Sequence, residues 1–198
     1  MRTYFQFLLL VLSLILANHV LYARQSASVP APQTAPPVAL ENLYKALVGN
    51  WTGELEYRDY QSDQHLKLPT WLDVTLSPDG RGLQFHYLYD DGPNKVVEEV
   101  SAISIDPRIS MFTVSSDREK SKDSYQMSGF EKLSATGTGT LQLTGNGTEN
   151  DRKVDVRITI KIGRNSYRYQ KETRLPGGDF QFRDGYNFTR REPPESTH

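Results

Sequence analysis

Leu47-Val48-Gly49-Asn50-Trp51-Thr52-Gly53-Glu54 marks the point at which the hydrophobic period of this chain changes. Upstream, Leu40, Leu43, Tyr44, Leu47 and Val48 recur at helical spacing and form the apolar stripe of one short amphipathic helix. Gly49 is the residue type that ends such a helix, because glycine tolerates the left-handed backbone of a helix C-terminus. Downstream, Trp51, Gly53, Leu55 and Tyr57 alternate with Thr52, Glu54, Glu56 and Arg58, a strand with one dry face and one wet face.

Working outward from that junction, turn signals recur every 8 to 15 residues. They fall at Gln61–His65, Pro78-Asp79-Gly80, Asp91-Gly92-Pro93, Asp106-Pro107-Arg108, Asp117–Lys122, Ala135–Gly137, Gly145-Asn146-Gly147, Gly163-Arg164-Asn165 and Pro176-Gly177-Gly178. Each joins a residue that tolerates positive φ, or fixes φ, to polar neighbours. Between them the strands show their inner faces: Leu83, Phe85, Tyr87 and Tyr89; Val154, Val156, Ile158, Ile160 and Ile162; Tyr167 and Tyr169; Phe180 and Phe182. Asp184-Gly185 interrupts the last strand and reads as a bulge or bend. A sheet of about ten twisted strands closes or splits, and closure removes its edges. The expected fold is all-β: a single closed antiparallel up-and-down β-barrel of about ten strands, with the short N-terminal helix at its base.

The ends of the chain read differently. Phe5 to Ala17 is an apolar run behind Arg2, the pattern of an export signal, with Ala23 as the nearest small residue for cleavage. Residues 24–39 are rich in Pro, Ala, Ser and Gln and read as a linker. The expected organisation is a signal peptide over 1–23, the linker over 24–39, the barrel over 40–192 and a disordered tail over 193–198. The sequence of 198 residues has no cysteine, which excludes both a lipid-anchored lipoprotein and a disulfide-stapled module. Exported and cysteine-free, the chain is expected in a bacterial periplasm or in the medium. The 23 basic residues balance 24 acidic ones, so no field steers the protein to nucleic acid. Outward residues such as Glu54, Glu56, Asp155, Arg157 and Lys161 cannot face lipid, which sets aside a membrane barrel; after signal removal the chain is not expected to span a membrane.

The helix turn leading into Gly49-x-Trp51, the all-β meander and the closing Phe188-Thr189-Arg190-Arg191 together resemble the calycin superfamily of lipocalins and fatty-acid-binding proteins, in particular the lipocalin-like barrels of bacteria. The resemblance implies that Trp51 sits at the closed base with a basic residue of the last strand packed across it, Arg190 first and Arg191 second, and that Gly49, Trp51 and Arg190 are structural. It also implies a small hydrophobic or amphipathic ligand in the interior. The chain departs from the lipocalins in lacking a Thr-Asp-Tyr-like middle motif.

The chemistry-bearing candidates follow from parity. Tyr57, Phe85, Tyr87, Tyr125, Tyr167, Tyr169 and Phe182 are expected to line the interior, with Tyr89 and Phe180 beside them, either around a ligand or as the filling of a solid barrel. Alternation sends one of Glu98 and Glu99 inward, where an Arg partner on a neighbouring strand is a fair expectation. His86 has outward parity, and His65 is expected in a loop. A haem role would need one of these two to turn inward, and neither metal nor cofactor is expected. Trp71 is expected at the rim or in a surface patch. No nucleophile elbow, phosphate loop or metal-ligand spacing is present. An isomerase or cyclase on the same barrel is the competing reading, and an inward polar pair beside the cavity is the feature that would favour it.

Overall fold

The computed structural model describes residues 38–59, 62–116 and 120–191. The expected signal and tail lie outside the described residues, as does the linker except for Val38 and Ala39, which already begin the first helix. Helix α1 (Val38–Leu47) leads into β1 (Gly49–Arg58), followed by β2 (His65–Leu76), β3 (Gly82–Asp90), β4 (Val96–Asp106), β5 (Met111–Ser116) and β6 (Ser121–Ser128). A second helix, α2 (Phe130–Thr136), precedes β7 (Gly139–Glu149), β8 (Arg152–Ile162), β9 (Ser166–Arg174) and β10 (Gln181–Arg190). Every strand pairs antiparallel with its neighbour in sequence, and β1 pairs with β10 to close the barrel. The ten-stranded up-and-down barrel with a basal helix is therefore the observed architecture.

The junction at Gly49 explains how the base is sealed. Gly49 has φ +128°, and a Cβ there would lie 2.7 Å from Arg190 Nη1. Glycine is required on both counts. It lets Arg190 reach back, donate to the Val48 carbonyl at 2.8 Å and also bond the Ala46 carbonyl. The same guanidinium lies 4.1 Å from the Trp51 ring centroid, a cation–π contact worth on the order of 1 kcal/mol. Trp51 is 1% exposed and donates its indole N–H to the Leu47 carbonyl at 2.9 Å. Helix α1 buries Leu40, Leu43, Tyr44 and Leu47 against the barrel end. Helix α2 lies beside it: Asn42 donates to the Ser134 carbonyl at 2.8 Å, and Leu133 is fully buried. Among Leu43, Leu47, Leu83, Phe85, Leu141 and Ile160 there remains a cavity of about 20 Å³. That is space for about one water in a largely apolar lining, so the base is solid.

One expected turn is a strand instead. Gly145-Asn146-Gly147 lies within β7, and the reversal comes at Asn150-Asp151, with φ 47° and 60°. That pair is the two-residue hairpin turn with both central residues left-handed. The glycines serve packing: a Cβ on Gly145 would lie 2.8 Å from the Tyr125 ring, and one on Gly147 would lie 3.1 Å from Val156. They clear room for large inward side chains rather than turning the chain.

Candidate functional site

The inner face changes character along the barrel axis. Near the base the rings form a continuous stack: Trp51 lies 6.1 Å from Tyr167, Tyr167 stacks on Phe188 at 6.0 Å, and Phe188 stacks on Tyr186 at 5.6 Å. Phe85 joins this layer, 6.1 Å from Tyr167. Phe85 and Tyr167 are thus inward, as expected, but belong to the packed base. Above them Tyr186 meets Tyr87 at 5.2 Å and Tyr169 at 5.7 Å, and Tyr87 stacks on Tyr89 at 5.9 Å. Tyr125 (6% exposed) and the half-buried Tyr57 complete the upper half, Tyr57 beside the mouth.

Carboxylates enter the interior in this upper half. Glu99 is the inward member of the Glu98-Glu99 pair, as its pairing with Tyr87 requires. Hydroxyls take up its two oxygens: Tyr89 donates to one at 3.3 Å and Ser101 to the other at 3.4 Å. Tyr89 also shares a 2.9 Å hydrogen bond with Tyr186, so a chain of hydroxyls runs across the barrel into Glu99. Burial together with Glu99 pushes the Tyr89 hydroxyl pKa strongly upward.

On the opposite wall Asp184 pairs with Tyr57 on β1 and with Lys171 on β9. Lys171 in turn pairs with Ile158, whose side chain is buried in the core, so Lys171 and Asp184 both stand on the inner face. Desolvation raises the Asp184 pKa, outweighing the opposing pull of Lys171 and Arg183. Neither Asp184 nor Lys171 makes a hydrogen bond or ion pair with another described residue. At the mouth, Glu149 accepts from Thr173 at 3.0 Å and faces Arg183 at 3.5 Å, while Arg183 donates to the Arg58 carbonyl at 2.7 Å.

Two observations show that this upper half holds accessible space. Burial pushes the Tyr169 and Tyr186 hydroxyls well above their usual range and raises Asp184, yet each keeps intermediate solvent exposure. Surrounded groups with accessible surface border an internal opening. Among the described residues, no buried side-chain nitrogen or oxygen lacks a hydrogen-bond partner. The hydroxyls of Tyr87, Tyr125 and Tyr169 make no hydrogen bond within the described protein, so each must reach space that water can enter. Desolvation and nearby Asp123 and Asp184 push the Tyr125 hydroxyl up to about 12.

Several expectations need correction. Phe182 and Phe180 do not line the interior, because the register shifts between Phe182 and Asp184. This bulge reverses parity: Asp184, Tyr186 and Phe188 point in while Phe182 points out. Phe182 stacks on His65 at 4.9 Å on the outer surface, and Phe180 lies between the guanidinium groups of Arg157 and Arg174, 4.2 and 4.6 Å away. His65 is not in a loop; it opens β2 and bonds Glu56 at 2.7 Å. His86 bonds the outward Glu98 at 2.7 Å. Neither histidine faces the interior, so the haem option has no axial histidine there. Trp71 is an outer-face residue, 37% exposed. A broad depression lined by Gly53, Glu54, Lys67, Pro69 and Asn187 lies on the same outer side. It encloses nothing, and the Lys67–Glu54 ion pair of 2.5 Å lies in its lining.

No group of three or more metal-ligating side chains occurs among the described residues. No helix among them is long and apolar enough to cross a membrane. No family model matches the chain, and no curated protein matches it by sequence. Solved structures do match in shape. The S-type phycobiliprotein lyase CPES from Guillardia theta superposes with a TM-score of 0.51 at 10% identity, over 78% of this chain and 93% of that one. Rv2717c from M. tuberculosis superposes with a TM-score of 0.53 at 14% identity, over 79% of this chain and 99% of that one. Likeness at such identities speaks for shape alone, and the shape shared is that of a closed antiparallel β-barrel.

Proposed function

We propose that the protein is a binding barrel that takes a small amphipathic ligand into its upper half, with Tyr57, Tyr87, Tyr125, Tyr169, Tyr186, Asp184 and Lys171 around it. The observation that carries this reading is an inward acid and base that border open space: Asp184 and Lys171 face the interior, are partly exposed and make no hydrogen bond among the described residues. Lys171 and Arg183 offset the desolvation of Asp184 only in part, and a ligand's polar part would supply the hydrogen bonds that Asp184 and Lys171 lack. The solid base bounds the ligand's length. The likeness to a phycobiliprotein lyase is compatible with a barrel that handles ligands.

Native mass spectrometry of the protein purified from its host, followed by solvent extraction, tests the reading. A co-purifying small molecule, lost in an Asp184→Asn, Lys171→Met double variant that stays folded, supports it. A ligand-free protein that also leaves hydrophobic fluorescent probes unbound defeats it.

A second reading has one observation behind it. The raised pKa of Asp184 and the Tyr186–Tyr89–Glu99 hydroxyl chain place an acid and a proton path on opposite walls of one space. That inward polar arrangement suits a proton-transferring isomerase or cyclase. Export is part of the same proposal, on the strength of the apolar run Phe5 to Ala17 and the absence of cysteine. N-terminal sequencing of the protein from fractionated cells checks it, and a cytoplasmic, uncleaved chain refutes it.

A further inference from the structure

One seam of the barrel is zipped over much less of its length than the others. Pairing between β6 and β7 covers only Gln126–Ser128 against Gln142–Thr144, three residues on each side, where every other seam pairs at least six. Both strands continue above that point, β6 through Ser121–Tyr125 and β7 through Gly145–Glu149, with no ladder between them. Two backbone edges therefore face each other across a split in the wall of the upper half.

The inward positions along the split leave it thinly covered. Gly145 and Gly147 continue the inward parity of Leu141 and Leu143 but bring no side chain. Asp123 has the inward parity of the buried Tyr125 and Met127, yet it is exposed, at a position that a sealed wall would cover. Among the described residues the Tyr125 ring covers the split, lying so close to β7 that a Cβ on Gly145 would stand 2.8 Å from it. Its hydroxyl lies within electrostatic reach of Asp123 on its own strand and of Asp184 across the interior.

The top of the barrel is strapped on the other side. Glu149 reaches over β8 to accept from Thr173 on β9 and faces Arg183 on β10, which donates to the Arg58 carbonyl on β1. One run of side chains thus ties β7, β9, β10 and β1 together. Opening that side breaks an ion pair and two hydrogen bonds; opening the split breaks no ladder hydrogen bond and displaces one ring.

Resting on the binding reading above, we infer that the ligand passes sideways into the upper interior, through the split between β6 and β7, with the Tyr125 ring over Gly145 as the gate. The glycine lets the ring lie against the β7 backbone when the gate is shut. Inward rotation of the ring opens it, and the β6 and β7 edges part without unzipping the barrel.

A chain with no cysteine of its own lets two be placed at will. Continuing the register of Gln126 with Thr144 sets Ser124 opposite Asn146, both exposed. Ser124→Cys with Asn146→Cys, joined by a short bis-maleimide, staples the split from outside. Gln84→Cys with Ala102→Cys puts the same staple on the paired β3–β4 seam as a control. Stopped-flow fluorescence with 11-(dansylamino)undecanoate reads both proteins before and after cross-linking. The β6–β7 staple is expected to slow association and dissociation at least tenfold and leave Kd within threefold, while the control staple changes neither rate beyond twofold. Tyr125→Ala without a staple, checked for fold by circular dichroism, is expected to raise both rates at least threefold. Unchanged rates in the stapled barrel overturn sideways entry and leave the binding barrel standing. Amide exchange reads the split with no ligand: peptides across 121–125 and 145–149 are expected to exchange at least tenfold faster than 152–156, and equal protection overturns the gate. A probe that binds no form of the protein defeats the binding reading and sideways entry with it.

Discussion

The two halves of this barrel are built from the same strands and obey opposite rules. In the basal half the packing is apolar and capped: Trp51 bonds Leu47, Arg190 caps the end of α1, and little more than one water's space is left. In the upper half, Asp184 and Lys171 face inward without a hydrogen bond among the described residues, and tyrosine hydroxyls open onto water. The base spends its residues on stability; the upper half keeps groups that stability alone would have removed. A site is found where that second rule applies.

The largest test of the division is at the base. Trp51→Ala is expected to cost roughly 3–5 kcal/mol, read as a lowered denaturation midpoint, because a fully buried indole leaves a cavity that the closed barrel cannot collapse. Ligand affinity per folded molecule should not change; a selective loss of binding would erase the boundary between the halves. Next comes Gly49→Ala, expected to cost on the order of 1–3 kcal/mol, since it forces positive φ on a β-carbon that also meets Arg190. Arg190→Lys in the same background shows whether the guanidinium contact is the cause, because relief of the clash should recover part of the loss.

In the upper half the expectation inverts. Asp184→Asn should leave stability at neutral pH within about 1 kcal/mol of the parent, or improve it, while weakening ligand binding. The sign follows from linkage. The folded-state pKa of Asp184 is raised, so its contribution to stability is present below the ordinary Asp range and is lost as pH climbs through the raised value. Melting temperatures of parent and variant measured across that window should diverge, with the parent losing more as pH rises. Parallel curves would show that Asp184 is solvated like a surface carboxylate. The smallest effect is expected outside the barrel altogether: Phe182→Ala removes its stacking on His65, about 0.5–1.5 kcal/mol, and should not touch ligand binding.

The fold was legible because alternation and turn chemistry repeat. The dry faces of β3 and β8 and the period change at Gly49 each point to a closed sheet on a helical floor; Arg190 over Trp51 is what the lipocalin resemblance implied, with Arg190 picked out by its parity with Tyr186 and Phe188. The site was harder to see. Counting inward positions forward from Phe180 puts Phe180 and Phe182 inside, because one bulged residue is invisible to a strict period of two. Counting backward from Arg190 through Phe188 and Tyr186 reaches Asp184, and the same parity carried past Tyr167 and Tyr169 reaches Lys171. Both signals were present; Asp184-Gly185 was read only as the bulge or bend, and the inward parity of Lys171 was not drawn from the Tyr167 and Tyr169 alternation. Gly145 and Gly147 misled for a related reason: glycine marks a turn or a close neighbour equally well, and only the facing Tyr125 and Val156 tell which.

The seam between β1 and β10 has a consequence in time. Residues 49–58 wait for residues 181–190 before either edge is covered, so the first strand to leave the ribosome is sealed by the last. Until then Trp51 has no guanidinium above it, and the sheet keeps two open edges. The longest-range contacts are the ones that complete the barrel, which delays closure until the chain is essentially whole. A polypeptide built this way cannot seal its barrel before its last strand is made, so its completeness is checked by the one pairing that only a full-length barrel can form.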